Sequence, residues 1–391
     1  MRVSPMSHEY FNLSQRYLGR CLGLVLLAGT HFPLALAQGD ALEEASIPSA
    51  LVARSLLLDI DLVGSKLIAV GERGHVILSR DKAANWSQSQ VPVRVTLTAS
   101  FFIDEQQGWV VGHDGVVLRT RDGGHNWTKQ LDGNQVNYLM RDHAKKVLAE
   151  MEAALEAATE DELEALQIKV DNFTVVYEDA ESFISEGPSR PFLDVWFKDA
   201  QNGFIVGAFG LILRTHDGGD SWTPWFDKLD NTDGFHLNAI RPIANVLYIA
   251  AEAGRLYRSD DWGQNWILLD SPYEGTFFGL VEAGEGGLLA YGLRGNAFLS
   301  MDQGVSWKAV STGTDASLSG GVRLEDGSVI LVGASGTLLH LSAQGVLIQG
   351  TQTPYKLPLS AVLQTDSQLL AVGFGGIQPL ALMNKPEGVR P

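Results

Sequence analysis

Five tryptophans close a nine-residue phrase that the chain repeats. It reads "RTRDGGHNW" at 119–127, "RTHDGGDSW" at 214–222, "RSDDWGQNW" at 258–266 and "LSMDQGVSW" at 299–307, with a worn copy, "LSRDKAANW", at 78–86. The tryptophans are Trp86, Trp127, Trp222, Trp266 and Trp307, and their gaps are 41, 95, 44 and 41 residues. A period near 41 leaves few folds open. Each unit has room for about four short strands, and such units bury their faces only by packing on one another in a ring or an array. The 95-residue gap alone breaks the rhythm, by about 54 residues.

A second marker precedes each phrase and extends the count. It reads "VGERG" at 70–74, "VGHDG" at 111–115, "VGAFG" at 206–210 and "AAEAG" at 250–254, then "YGLRG" at 291–295, "VGASG" at 332–336 and "VGFGG" at 372–376. Seven copies make seven units. Within residues 96–131, "TLTASFFID", "GWVVG", "VVLRT" and "NWTKQL" read as four strands, rich in β-branched and aromatic residues and separated by turns. The spacing predicts an all-β, seven-bladed β-propeller over residues 49–383, each blade a four-stranded antiparallel meander. The last unit shows three strands, which would leave an open edge. The segment "SALVARSLL" at 49–57 is composed to supply the fourth.

The repeated phrase has a physical reading. In "RTRDGGHNW" the Asp122 side chain can cap backbone N–H groups of the hairpin, Gly124 can take positive φ, and Trp127 can bury its ring against the turn. The pattern Ser/Thr-x-Asp-x-Gly-x-x-Trp resembles the Asp-box of sialidase-type propellers. It fits around Asp122, Asp217, Asp261 and Asp302, and at Asp81 the glycine is replaced by Ala83. Equivalent carboxylates spread around a ring cannot share one metal or form one acid–base pair, so these aspartates read as punctuation of the fold.

The ends and the composition bound the class. Arg16 and Arg20 precede the apolar run "CLGLVLLAGTHFPLALA", and Ala35-Leu36-Ala37 offers a small-x-small cleavage site, so residues 1–37 read as a secretory signal peptide. Residues 38–48 then form a linker and 384–391 a tail, and export implies a periplasmic protein. The single cysteine, Cys21, falls inside the signal, so disulfides have no part in the mature fold. Net charge is −17 for the whole chain. An acidic surface of this size repels nucleic acid and anionic lipid headgroups, which argues against nucleic acid and direct bilayer insertion.

The long gap carries helical periodicity. Val136, Leu139, Met140, Val147, Leu148, Met151 and Leu155 recur at three- and four-residue steps. Thr159 to Glu162 form a capping-box sequence, after which Leu163, Leu166 and Val170 continue a second apolar face. The β-branched "FTVVY" at 173–177 weighs against that helix running on. The reading is a helical hairpin inserted at 134–186 between blades two and three. From 133 to 190 there are 13 acidic and 5 basic residues, which suits a docking arm and a packed hairpin with a solvated face equally well.

In a four-stranded meander the turns alternate between the two ends of each blade. The GxxG turns and the inter-blade linkers share one face, and the Asp-boxes occupy the other. On the GxxG face Arg73, Arg94, Arg190, Phe209, His236 and Arg294 form the candidate partner-binding set, its arginines standing out in an acidic protein. No HExxH motif, His/Cys cluster or phosphate-cradling glycine loop appears, so no catalytic residue, metal or cofactor is expected.

"GWVVGHDGVVLRTRDGGHNW", "GFIVGAFGLILRTHDGGDSW" and "LDVWFKDAQN" together resemble the photosystem II stability/assembly factor family, also described as BNR or Asp-box repeat proteins. The resemblance covers 51–382. It implies a non-enzymatic seven-bladed propeller that binds membrane-protein subunits during assembly through an arginine-bearing face. With the signal peptide, the reading is an exported monomer whose partner is a membrane-protein complex, photosystem-like or an envelope transporter. A sialidase-type propeller that binds or hydrolyses glycans is the alternative. Against it, the chain lacks an early "F/Y-R-I-P" string; the nearest match, Ile240-Arg241-Pro242-Ile243, is scrambled and central.

Overall fold

The computed structural model describes residues 40–366 and 368–380. The signal-peptide and C-terminal-tail expectations therefore lie outside the described residues. Seven antiparallel sheets follow one another along the chain, six of four strands and the last of three. The second sheet is representative: Leu97–Phe102, Gly108–Gly112, Val117–Thr120 and Thr128–Leu131 pair in chain order. The innermost strands start at Leu57, Leu97, Phe192, Leu237, Phe277, Leu318 and Leu359, and each abuts the next around a closed circuit. This is a β-propeller.

Its core is divided among the seams. The second strand of every sheet is buried along its whole length, because neighbouring sheets cover both its faces. Such strands are near-continuous apolar runs, as two-sided burial requires. Val70 of the first sheet meets Leu97 and Val110 of the second. Phe204 of the third meets Ile240 of the fourth, and Leu331 of the sixth meets Leu289 of the fifth. At one recurring position a polar side chain stitches the seam. Thr98 Oγ1 donates to Phe192 O (2.7 Å), Asn238 Nδ2 to Phe277 O (2.8 Å) and Ser319 Oγ to Leu359 O (2.5 Å).

The N-terminal segment does not add a strand to the last sheet, contrary to the expectation for 49–57. Val52–Arg54 is a 3-10 turn, and Leu57 already opens the innermost strand of the first sheet. The turn lies against the edge strand Gly376–Leu380, where a Cβ on Gly376 would come within 2.0 Å of Ala53 O. Closure is instead an apolar seam: Leu57, Leu67 and Ile77 pack against Leu363, Leu370 and Val372. Pro379 suits this unpaired edge, since it lacks a ladder donor and so discourages a further strand.

Between the second and third sheets stand helix α1, Gly133–Glu156, and helix α2, Glu160–Glu186. Asp132 caps α1 by accepting from Asn134 N (3.1 Å) and Gln135 N (3.3 Å). Glu162 Oε2 returns to Thr159 N (3.1 Å) at the start of α2. Helix α2 runs straight through "FTVVY". Val170, Phe173 and Ala180 bury against Ala144 and Leu148 of α1, and that packing outweighs the local β preference. The hairpin is fastened to the third sheet by His143, whose Nε2 lies 2.9 Å from Asp227 Oδ1, and by Phe173, which stacks on Phe226 at 6.0 Å. Its base crosses the second GxxG turn so closely that a Cβ on Gly115 would come within 2.6 Å of Gly133 Cα.

Candidate binding surface

The two kinds of turn differ in what they leave available. In the second Asp-box, Asp122 Oδ1 accepts from Thr120 Oγ1 (2.9 Å), His125 N (3.1 Å) and Asn126 N (3.0 Å), while Oδ2 accepts from Asn126 Nδ2 (2.7 Å). Asp217, Asp261 and Asp302 repeat the pattern, each accepting from the hydroxyl two residues back at 2.8 Å. Ser306, through its hydroxyl and its amide, and Ser300 hold Asp302 down at about 2. Asp81 keeps the arrangement although Ala83 stands in the glycine position, at φ 72° against 89° for Gly124. Trp127 and Trp222 are buried against Phe102 and Phe197, Trp266 packs edge-on to Phe204, and Trp307 donates to Asp270 O at 3.1 Å. Trp86 packs on the seam between the seventh and first sheets. These carboxylates are occupied by their own turns.

The GxxG turns use a left-handed pair as well, a variable residue followed by the closing glycine, and the variable residue carries a side chain the turn does not need. Arg73 (φ 57°) and Arg294 (φ 56°) are both exposed, on the first and fifth sheets. Arg94, in the linker between the first two sheets, is ion-paired with Glu44. Phe209 (φ 54°) is half exposed and packs edge-on to His236 at 4.9 Å. His236 in turn lies 3.6 Å from Glu252.

Arg190 corrects the sequence reading. Expected on the surface, it is 4 % exposed, held by Asn137 of α1 at 2.9 Å and by the Phe183 ring of α2 at 3.9 Å. Burial pushes its guanidinium down to about 10, so it remains charged at neutral pH. The structure thus brings Arg190, Phe209 and His236 together beside the hairpin, with Phe183 touching both Arg190 and Phe209. Arg73, Arg94 and Arg294 stand on other sheets.

A second feature escaped the sequence reading: a central cavity of 260 Å³ lined by all seven innermost strands. Asp59 Oδ2 accepts from Ser100 N (2.9 Å) and Asp194 Oδ2 from Ile240 N (2.7 Å), so two channel carboxylates also bridge neighbouring sheets. Arg241 pairs with Asp194. Asp61, hydrogen-bonded to Ser100 Oγ at 2.6 Å, is pushed up to about 8 by burial and by the neighbouring Asp59. The alternation Asp59-x-Asp61 on a first strand was the available signal. Among the described residues no group of three or more His, Cys, Asp or Glu is arranged to hold a metal, and no helix is long and apolar enough to cross a membrane.

Fold and turns define the class: a β-propeller of Asp-box repeats with a helical hairpin let into one linker. The chain belongs to the family described as photosynthesis system II assembly factor YCF48, which matches residues 78–144 and 184–349. The unmatched stretch between them is most of the hairpin. A photosystem II assembly lipoprotein Ycf48 of Synechococcus sp. (strain CC9902) is 35% identical over 95 residues, 24% of this chain and 28% of that relative. The matched stretch is thus less than a third of the relative's length. Among solved structures, YCF48 from Cyanidioschyzon merolae aligns over 85% of this chain and 97% of its own, with a TM-score of 0.55 and 14% identity. The WD40 propeller domain of Doa1 aligns over 88% and 96%, with a TM-score of 0.57 and 11% identity. Identities this low speak to the fold alone.

Proposed function

We propose that this protein is an exported, monomeric, non-enzymatic seven-bladed propeller that holds a subunit of a membrane-protein complex on its GxxG face while the complex assembles. The family match across the repeats carries the reading. The relatives' names tie them to photosystem II, so a photosystem II subunit is the first partner to test and an envelope transporter the second. The geometry supports a binder in two ways. Asp-box carboxylates are consumed by their turns, whereas the GxxG face offers Arg73, Arg294, Phe209 and His236. Docking there with exposed arginines would speed encounter and orient the partner more than it deepens affinity.

The test is affinity capture of the mature protein from detergent-solubilised membranes, with the captured subunits identified by mass spectrometry. Recovery of subunits of one membrane complex, in stoichiometric amount, is the expected result. Turnover of a sialoside, with no membrane protein recovered, contradicts it and restores the glycan-acting alternative.

A further inference from the structure

The cleft between the hairpin and the third sheet contains a positive charge without a carboxylate partner among the described residues. Arg190 makes one side-chain hydrogen bond, to the neutral Asn137, and lies over the Phe183 ring. Its buried Nε has no hydrogen-bond partner. Glu186 acts on it only through space. Taking a guanidinium out of water without a counter-ion is costly, and ring stacking offsets only part of that cost.

Arg190 also lines a 120 Å³ cavity whose other walls are mainly apolar, among them Met140, Val176 and Phe226. Phe209 forms part of the same wall. Its place in the other six turns is taken by Arg73, Asp114, Ala253, Arg294, Ser335 and Gly375, none of them aromatic. A bulky residue in left-handed backbone is strained, and such strain persists where the surroundings fix it. Here the Phe183 ring at 5.5 Å and His236 at 4.9 Å do so. An aromatic wall and a buried, carboxylate-free arginine thus converge on one cavity.

We propose that this cleft binds a carboxylate carried on a compact apolar body, with Arg190 as the counter-charge and Phe209 covering the apolar part. The volume holds about four water-sized groups, which suits a branched side chain such as that of leucine. Two sources share this chemistry: a polypeptide ending in an apolar residue, and a free short-chain acid. Two carboxylates also line the cavity: Asp233 is paired with Arg255 at 3.3 Å, and Asp179 has no ion pair among the described residues, so a second carboxylate on the ligand is disfavoured and a nearby cation is tolerated. The inference deepens the partner reading at one part of the same face, but it is tested with small probes, so either can fail alone.

The test is titration of the full chain with N-acetyl-leucine and N-acetyl-leucinamide, followed by ligand-observed NMR. The acid should bind about tenfold or more tightly than the amide, the scale of a lost charge-assisted hydrogen bond. Phe209→Ser should weaken the acid by about tenfold while leaving thermal unfolding unchanged, on the same scale. Arg190→Met should erase the preference for acid over amide. If that variant does not fold, the acid–amide contrast and Phe209→Ser decide. A hexapeptide ending in free leucine that binds more tightly than N-acetyl-leucine identifies a chain end as the source, and equal binding identifies a small acid; both support the site. Equal binding of acid and amide, no binding of either, or an unaffected Phe209→Ser variant overturns it.

Discussion

Each full repeat contributes two turns that share left-handed backbone and differ in everything else. In the Asp-box turn a left-handed pair ends on a glycine such as Gly124 or Gly219, and the aspartate two residues before that glycine fills both its oxygens with local donors. In the GxxG turn the pair again ends on a glycine, such as Gly74 or Gly210, but its first residue is Arg73, Phe209 or Arg294, whose exposed side chains the turn does not use. A turn that satisfies its own polar groups contributes to folding and has little left for a ligand. A turn closed by a backbone bond, such as His75 N to Glu72 O at 3.0 Å, needs nothing from the exposed side chain at its left-handed position.

The largest test of that contrast removes the hairpin. Excising 133–187 and rejoining the chain strips the cleft of Asn137, Phe183 and Phe173, and it uncovers Phe226. Partner capture and carboxylate binding should both disappear. The propeller should still fold, with a loss of about 2–5 kcal/mol, the scale of one large core truncation, read by urea denaturation. Failure of the seven sheets to form would show that the hairpin belongs to the fold and is no appendage.

Next in size is the central cavity lined by the innermost strands. Asp61 has a folded pKa raised to about 8 from an ordinary value near 3.8. The folded state therefore holds its proton more tightly than the unfolded chain does. Stability from this group is fully present below the unfolded value, falls as pH rises from about 4 to 8, and levels off above that. Between pH 5 and 8.5, a range with about three pH units below the folded value, the loss should be on the order of 4 kcal/mol, and Asp61→Asn should remove most of that slope. An unchanged slope in the variant would place the proton elsewhere.

Smaller effects sharpen the Asp-box side. Asp122→Ala should cost about 1 kcal/mol, the usual loss for a side-chain cap, with partner capture intact. Loss of capture in a folded Asp122→Ala protein would move function onto that face. Ala83→Gly is the reverse experiment. Ala83 holds φ 72° without a glycine, so the change should stabilise the protein by about 0.5 kcal/mol, seen as a small rise in melting temperature.

Much of the ring was legible because the repeat is written in local chemistry. Tryptophan spacing, left-handed turns and apolar second strands depend on neighbours a few residues away, and they set the number and order of strands. The errors came where distant parts of the chain meet. Closure was expected from a strand at 49–57, but face-to-face packing of Leu57 and Leu67 on Leu370 and Val372 joins the last sheet to the first, and no spacing rule encodes it. Arg190 sits on a linker, where it reads as a surface charge, but contacts with Asn137 and Phe183, 53 and 7 residues away, help bury it. Likewise nothing local sets Asp59 and Asp61 apart from other strand aspartates; it takes all seven first strands around one cavity to bring them into the channel lining.

The account turns on which face carries the partner, and one paired measurement addresses it. A GxxG-face variant, Arg73→Glu with Phe209→Ser and Arg294→Glu, and an Asp-box-face variant, Asp122→Ala with Asp217→Ala, are each used to capture membrane complexes beside the unaltered protein. Circular dichroism confirms that both remain folded. The GxxG-face variant should lose most of the captured complex, with the association rate falling first, and the Asp-box variant should retain it despite lower stability. Full capture by the first variant together with loss by the second would contradict the assignment.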